Sequence, residues 1–125
     1  MATDVQIVID CADPHGLADW WAEALGWQVE PQDEAFIRRM VESGAASAED
    51  TTTHRGALVW RSGAAIDSLD PGRPRVLFQL VPEAKTVKNR VHLDLVTDSS
   101  TRRSTDCSAS APGSRLSTMR AAHAG

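Results

Sequence analysis

The sequence predicts an α+β fold in which one amphipathic helix covers one face of a mainly antiparallel sheet. Three observations lead to this prediction. Residues 5–11 alternate apolar and polar side chains like a half-buried strand, residues 14–25 repeat apolar side chains at intervals of three and four, and strand-like segments recur down to residue 97. A single helix followed mainly by strands is typical of α+β domains, in which the helix packs on one side of the sheet.

Length, charge and cysteine usage restrict the class of protein. With 125 residues the chain is long enough for one domain with a modest core. No apolar run approaches the length of a membrane span and the N-terminus does not resemble a signal peptide, so we expect a cytoplasmic protein with no membrane partner. The net charge of −4 gives no support for nucleic-acid binding. Cys11 and Cys107 lack the spacing of metal ligands, and Cys11 is expected in the core.

The best-defined elements are the first strand and the helix that follows it. On the strand, Val5, Ile7, Ile9 and Cys11 share the apolar side. The helix is predicted to begin with Asp13 as N-cap and Pro14 at the first helical position, and to end at Gly26, which suits a left-handed cap. Its apolar stripe is expected to comprise Leu17, Trp20, Trp21, Ala24 and Leu25.

The middle of the chain combines short strands with irregular segments. Residues 27–30 are predicted to form a strand that Pro31 ends or holds at a sheet edge. Residues 35–41 fit either a strand or a helix, and residues 43–54 are small and polar and are predicted to be a loop. Two further strands are predicted at residues 57–61 and 76–81.

The most informative stretch is residues 88–98, KNRVHLDLVTD, which alternates like a strand. Its apolar face carries Val91, Leu93 and Leu95, and its other face carries His92, Asp94 and Val96. A half-buried strand needs only one apolar face, so the second face is available for chemistry. The face of the sheet away from the helix is therefore expected to be concave and to collect five polar side chains, Gln6, Asp10, Gln79, His92 and Asp94.

These candidates also have structural interpretations. His92 either contacts a ligand or is a hydrogen-bonded histidine inside a cavity. Asp10 and Asp94 would raise each other's pKa if they faced one another in a closed cavity, or they would pair with Arg75 or Arg90 and be structural. Trp60 either lines the cavity or belongs to the core, as aromatic residues in strands usually do.

Two segments of the chain resemble a known family. IDCADPHGLADWWAEALGW and VLFQLVPEAKTVKNRVHLDLVTD are similar to the glyoxalase-like branch of the vicinal oxygen chelate superfamily, which includes glyoxalase I, extradiol dioxygenases and bleomycin-resistance proteins. The resemblance covers about residues 4–98. It implies two βαβββ modules whose curved sheets enclose a cavity, with the first module complete and His92 on the first strand of the second.

The resemblance also bears on a metal. In members that use a metal, the ligand positions match Gln6, Gln79 and His92 here, and the fourth position has no counterpart. Only His92 is a strong ligand type, and two neutral amides do not supply the negative charge that holds a divalent ion against water. We therefore expect no cofactor and no catalytic metal, with His92 as the remaining metal-ligand candidate.

The chain changes character after Asp98. Residues 1–98 contain nine basic and 16 acidic side chains, whereas residues 99–125 contain four basic and one acidic and have no Val, Ile, Phe or Trp. The domain is therefore predicted to span residues 1–98, with a non-family, disordered tail at 99–125. If residues 98–125 are written back into GC-rich codons and one nucleotide is added after the Asp98 codon, the shifted reading frame encodes leucines at helical spacing. This suggests that the second module is frameshifted and truncated. The sheet would then keep an unpaired edge, through which a homodimer could form.

The predicted function is binding of a small-molecule partner by a glyoxalase-like domain. The ligand-binding residues are predicted to be Gln6, Asp10, Trp60, Gln79, His92 and Asp94. A second hypothesis is an enzyme of the lyase or isomerase type, with His92 and Asp94 as the catalytic candidates, one or the other of which moves a proton next to a carbonyl. A third is a resistance-type protein that sequesters its ligand, and a fourth is a frameshifted product without function.

Overall fold

The computed structural model describes residues 2–98 of the chain. The chain divides into two compact units, whose described parts are residues 2–84 and residues 85–98, and each is treated by itself. The predictions of a tail at 99–125 and of a frameshift after Asp98 lie outside the described residues. The fold is a mixed α+β arrangement compatible with a βαβββ module, as predicted.

Residues 2–84 contain a mixed four-stranded sheet and a separate hairpin. The strands are β1 (Ile7–Cys11), β2 (Gln28–Val29), β3 (Thr51–His54), β4 (Ala57–Trp60), β5 (Gly63–Asp67) and β6 (Val76–Leu80). The sheet has the order β1-β6-β5-β2, in which β1 and β6 are parallel and the other two pairs are antiparallel. Strands β3 and β4 form the antiparallel hairpin. The hairpin turns through Arg55 and Gly56, whose φ angles of +52° and +80° match a two-residue turn of the primed type.

Helix α1 (Pro14–Leu25) begins and ends as the sequence predicts. The Asp13 carboxylate accepts the Gly16 N–H at 3.1 Å, and Pro14 fills the first turn, where no N–H is needed. Gly26 closes the helix with φ +71°, a conformation that costs glycine little. The element therefore follows directly from local sequence chemistry.

The buried stripe of α1 is rotated from the predicted one. Its buried residues are Pro14, His15, Ala18, Trp21 and Ala22. Trp20 is 48% exposed and packs its ring edge-on against Trp21, with 5.1 Å between ring centroids. Because Ala18 and Ala22 lie on the buried side of the helix, Trp20 is left at its margin. Including Trp20 in the buried stripe was wrong.

The core lies between α1 and the facing side of the sheet. Phe78 and Ile66 are fully buried, and they belong to the neighbouring strands β6 and β5. Cys11 is also buried, as predicted, and burial raises the pKa of its thiol. Apolar contact between one helix face and one sheet face is what holds this unit together.

A second, shorter helix, α2 (Glu34–Glu42), accompanies the main helix α1. It fills the stretch that fitted either a strand or a helix, with Asp33 as N-cap accepting the Phe36 N–H. Ile37 is its one buried residue, while the other apolar side chains of the helix, among them Phe36 and Met40, stay at least partly exposed. The stretch is short, so its apolar spacing alone did not decide between a helix and a strand. Neither helix of the described chain has the length and apolar character needed to cross a bilayer.

The predicted loop at residues 43–54 was also wrong in part. It contains a turn of 3₁₀ helix (Ala48–Asp50) and then β3, whose sequence TTTH is polar and lacks an alternating apolar face. Strand β3 is stabilised by pairing with β4 rather than by burying an apolar face. Such a strand leaves no hydrophobic period in the sequence.

The outer edge of β4 is satisfied by side chains. The N–H of Leu58 donates to the Glu34 carboxylate at 3.2 Å, and the N–H of Trp60 donates to the Gln32 side-chain carbonyl at 2.8 Å. The bond from Leu58, followed by Arg38, lowers the pKa of Glu34. These bonds replace the missing neighbouring strand and attach the hairpin to the segment around α2.

Residues 85–98 do not contain the predicted strand. Val91 and Val96 are 80% and 73% exposed, whereas Leu93 and Leu95 are half-buried, so the side chains of residues 92–96 do alternate. A strand is defined by its ladder of hydrogen bonds, and within residues 2–98 no strand pairs with this segment. The predicted opening strand of a second module was therefore wrong for the described chain.

Candidate functional site

The side of the four-stranded sheet opposite α1, called the open face here, carries an apolar strip between two polar rows. The register of the strands places Val8, Leu77 and Ala65 side by side in the strip. One flanking row contains Asp10, Gln79 and Gly63. Continuing the register by one residue, the other flanking row contains Gln6, Arg75, Asp67 and Gln28. Such a surface suits an amphipathic small molecule.

An ion pair between Arg75 and Glu30 dominates the second polar row. The Arg75 Nε lies 2.7 Å from one carboxylate oxygen of Glu30, and a terminal nitrogen lies 3.0 Å from the other. The second terminal nitrogen contacts the Gln6 side-chain carbonyl at 3.4 Å. This two-pronged geometry fixes the plane of the guanidinium group on the open face.

Asp67 extends this ion pair into a group of three charges. The hydrogen bond from Arg75 lowers the pKa of Glu30, and the same bond raises the pKa of Arg75. The hydrogen bond with Glu30, with burial next in size, raises the pKa of Asp67. Two neighbouring carboxyl groups disfavour simultaneous ionisation, so Asp67 keeps its proton to a higher pH than an isolated aspartate.

The guanidinium of Arg75 keeps donors for a further acceptor. Arginine has five N–H donors, and the bonds to Glu30 and Gln6 use three of them. Among the hydrogen bonds within residues 2–98, two N–H groups of Arg75 are therefore left for a further oxygen acceptor. Because the guanidinium is held in place by Glu30, such an acceptor would meet a pre-oriented donor.

A shallow pocket of about 170 Å³ lies beside Arg75. Glu30 and Arg75 line one part of it, and Trp60 lines another. Its remaining lining residues are Pro31, Gln32, Asp33, Gly63, Ala64, Ala65 and Leu77. The small residues of β5 leave the space, because larger side chains there would fill it. The pocket is below the usual size of drug-sized ligand sites and suits a molecule of about one ring.

Gln32 fixes the pocket wall formed by the hairpin. Its side-chain carbonyl accepts the Trp60 N–H at 2.8 Å, and its amide nitrogen donates to the Gly63 carbonyl at 2.9 Å. Gly63 is constrained as well, since a Cβ there would lie 2.7 Å from the Phe78 carbonyl oxygen. The Gln32 side chain thus connects Trp60 on the hairpin to Gly63 on β5.

The structure places four of the predicted ligand-binding residues within residues 2–84. Trp60 lines the pocket, and Gln6 contacts Arg75. Asp10 and Gln79 are exposed on the open face and lie opposite each other in the register of β1 and β6. Arg75 pairs with Glu30.

His92 and Asp94 lie in residues 85–98 and contact each other. The His92 Nδ1 is 3.1 Å from an Asp94 carboxylate oxygen, with the two side chains 44% and 51% exposed. Their assignment to the same site as Gln6 and Asp10 stays a prediction.

The positions that the family resemblance implies for a metal do not fit one. Gln6 and Gln79 are four residues apart along the paired strands β1 and β6, which corresponds to ~13 Å at the rise of an extended chain. Ligands of one ion lie within about 5 Å of each other. The Gln6 oxygen also faces the Arg75 cation. Within residues 2–98, no group of three or more His, Cys, Asp or Glu side chains is arranged to hold a metal.

Sequence reasoning missed Glu30, Asp67 and Gln32. Asp67 and Glu30 stand at the ends of short strands, and their side on the sheet follows from the register, which depends on where β5 and β2 begin. Arg75 and Glu30 are 45 residues apart in sequence, so no local pattern indicates their pairing. The one usable signal was the position of Glu30 next to Pro31, at the edge of a strand.

Comparison with known proteins agrees with this architecture. A sequence model described as glyoxalase-like domain matches residues 6–122. The match begins at β1 and extends beyond the described residues. No curated protein and no solved structure gives a significant match to the chain. Because the family match covers most of the sequence, and the α+β fold fits a small-molecule-binding module of this type, the chain belongs to the glyoxalase-like domain family.

Proposed function

We propose that the protein binds a small amphipathic molecule on the open face, in the pocket between Arg75 and Trp60. The observation that carries this proposal is a guanidinium held by Glu30 with two donors left over, next to a ring-sized pocket. The apolar strip beside it, in which Val8 is 49% exposed, supports the same use, because exposed apolar surface flanked by polar groups is typical of binding sites.

The ligand class follows from the chemistry of the pocket. An oxygen acceptor, carboxylate above all, would take the two remaining Arg75 donors. A planar ring would lie against Trp60 and the small side chains of β5. We propose a ring-sized carboxylate or carbonyl compound as the ligand class.

Benzoate and its neutral isostere benzamide test this proposal. Benzoate is expected to bind the full chain at pH 7 with a Kd on the order of 1 mM, as ligands of this size do, and benzamide more weakly. Arg75→Gln should weaken benzoate binding about tenfold, the size of one hydrogen bond to a charged group. NMR titration measures both. Arg73→Gln is the matched control, because Arg73 is exposed and pairs with Asp70. Equal effects at Arg73 and Arg75 would contradict the proposal.

Asp67 gives the proposed binding a pH dependence. Its pKa is raised, so as pH falls through that value a negative charge beside Arg75 disappears and an anion binds better. Benzenesulfonate, which keeps its charge, should bind about threefold more tightly on the acidic side. In Asp67→Asn, this change of benzenesulfonate affinity with pH should disappear. If the affinity of the wild-type protein did not change with pH, the role of Asp67 would be contradicted.

A second candidate function is proton transfer by His92 and Asp94, supported by their 3.1 Å contact. A carboxylate that orients an imidazole is a usual arrangement in general acid–base sites. His92→Gln would then abolish turnover of a carbonyl substrate while benzoate binding persists. Stoichiometric binding without turnover would instead favour a resistance-type protein that sequesters its ligand.

We also propose that binding needs no metal. The support is the separation of Gln6 and Gln79 and the cation beside Gln6. Benzoate affinity should then be the same before and after dialysis against a chelator, and recovery of lost binding by a divalent cation would contradict it.

A further inference from the structure

A cluster of polar side chains connects α1 to the hairpin next to Trp60. It consists of His15 and Asp19 on α1 and of His54 and Arg55 on the hairpin. None of these residues lines the proposed pocket. The cluster is therefore separate from the ligand-contacting residues and needs its own explanation.

His15 binds the backbone of a pocket residue. This histidine is 7% exposed, and its Nε2 lies 2.7 Å from the Trp60 carbonyl oxygen. A carbonyl oxygen only accepts, so His15 must carry its proton on Nε2 and donate it. The short distance and the burial make this bond costly to lose.

Both backbone polar groups of Trp60 are thus held by side chains. Its N–H donates to Gln32 and its carbonyl accepts from His15, while the next N–H, of Arg61, donates to the Asp50 carbonyl at 2.8 Å. Within residues 2–98, strand β4 pairs with β3 alone. The position of the Trp60 wall is consequently set by His15 and Gln32.

The remaining members of the cluster hold His15 itself. The ring of His54 lies against the ring of His15, with 5.2 Å between centroids and 30° between planes. The His54 Nε2 donates to the Asp19 carboxylate at 2.6 Å, and the Arg55 Nε contacts the same oxygen at 3.0 Å. These contacts fix the hairpin turn to α1 and place the His54 ring beside that of His15 in a tilted arrangement.

We propose that His15 is a positioning residue for the open-face pocket, holding the Trp60 wall through the Trp60 carbonyl, with the His54–Asp19 pair keeping the His15 ring in place. This inference rests on the proposed function of the pocket. It adds a residue that touches no ligand and yet sets the affinity, because a wall that shifts by a fraction of an ångström loses contact with a bound ring.

The test combines binding with a direct signal from the contact. His15→Phe keeps a ring and removes the donor, whereas His15→Gln keeps a side-chain N–H that can reach the carbonyl. His15→Phe should weaken benzoate binding about fivefold and shift the ¹³C signal of the Trp60 carbonyl, and His15→Gln should restore most of both. Ala22→Ser, further along the buried face of α1, is the control for general loosening of the helix. It should leave both the benzoate affinity and the Trp60 carbonyl signal closer to the wild-type values than His15→Phe does.

The imidazole tautomer of the unmodified protein provides a readout that does not depend on folding of the variants. Nitrogen NMR should show a proton on the Nε2 of His15. A proton on Nδ1 alone would overturn the inference, since the Trp60 carbonyl would then have no donor. Benzoate binding that is unchanged in His15→Phe, despite a shifted Trp60 carbonyl signal, would also overturn it. Absence of benzoate binding in the wild-type protein would instead count against the proposed function, while the tautomer still decides the contact.

Discussion

The two faces of the four-stranded sheet are built for different purposes. Towards α1, the strands present Phe78 and Ile66, which are fully buried against the small side chains of the helix. Towards the open face, the same strands present Arg75 and Asp67, which interact with Glu30, beside the apolar strip. Residues 75–79 therefore alternate in the side that they face, with Val76 and Phe78 on the covered face and Arg75, Leu77 and Gln79 on the open face.

This difference indicates where changes affect stability and where they affect binding. The covered face contributes through apolar area removed from water, which scales with side-chain size. The open face contributes little to stability, because its ion pair is partly solvated, but its groups are pre-oriented for a ligand. Substitutions on the covered face should therefore cost the most stability, and those on exposed polar side chains the least.

The largest effect is expected at Phe78. Phe78→Ala would leave a cavity in the fully buried core and should lower the free energy of unfolding by about 3–5 kcal/mol. Gln79→Ala, one residue away on the open face, should change it by less than about 0.5 kcal/mol. Urea unfolding of both variants measures the contrast. Similar losses in the two variants would show that the faces do not differ.

A smaller effect is expected where the open face meets the hairpin. Gln32→Ala removes both bonds that this side chain makes, to the Trp60 N–H and the Gly63 carbonyl, and should cost about 1–2 kcal/mol. Gln28→Ala, which removes an exposed glutamine on the same face, is the control. Thermal unfolding of the two variants distinguishes them, and no difference would mean that water replaces Gln32 at no cost.

The ion pair should matter less for stability than for titration. Glu30→Gln should cost below about 1 kcal/mol at pH 7, since the Arg75 side chain is 40% exposed. The folded pKa of Glu30 is lowered, so its contribution is present above the unfolded pKa and is lost as pH falls through the folded value.

Asp67 shifts in the opposite direction, which separates the two carboxyl groups experimentally. Its folded pKa is raised, so its contribution is present at low pH and is lost as pH rises through the folded value. In Glu30→Gln the pKa of Asp67 should fall towards that of an ordinary aspartate, which ¹³C titration of the carboxyl measures. An unchanged Asp67 titration would contradict the coupling.

The smallest effect is expected at the exposed His92–Asp94 pair. His92→Gln should change the free energy of unfolding by less than about 0.5 kcal/mol, because both side chains are about half exposed. A loss of more than about 1 kcal/mol, measured by thermal unfolding, would show that the segment at residues 85–98 contributes to packing as the covered face does.

Elements with strong local signals were predictable from the sequence. Asp13, Pro14 and Gly26 define α1 through capping chemistry alone, and the alternation of residues 5–11 and 76–81 predicted the correct sides of β1 and β6. The side on which Asp10 and Gln79 lie follows from the same alternation. Local patterns were sufficient here because neighbouring residues carry the information.

Pairing between distant segments was not predictable in the same way. Residues 92–96 alternate their exposure as a strand would, yet no strand pairs with them within the described chain. Conversely, β3 is polar and pairs with β4. The contact of Arg75 with Glu30, and that of His15 with Trp60, join residues 45 positions apart. A single sequence indicates the side that a residue faces, but not which segment lies beside it.

A map of benzoate binding on the labelled full-length chain tests whether the open face is the binding surface. Amide signals in ¹H–¹⁵N spectra are assigned and followed through a benzoate titration. We expect saturable shifts concentrated at Trp60, Ala65 and Leu77. The signals of Ala18 and Ala22, on the buried side of α1, should not move. Shifts at the covered side, or no saturable shift on the open face, would contradict the division of the sheet into a packing face and a binding face.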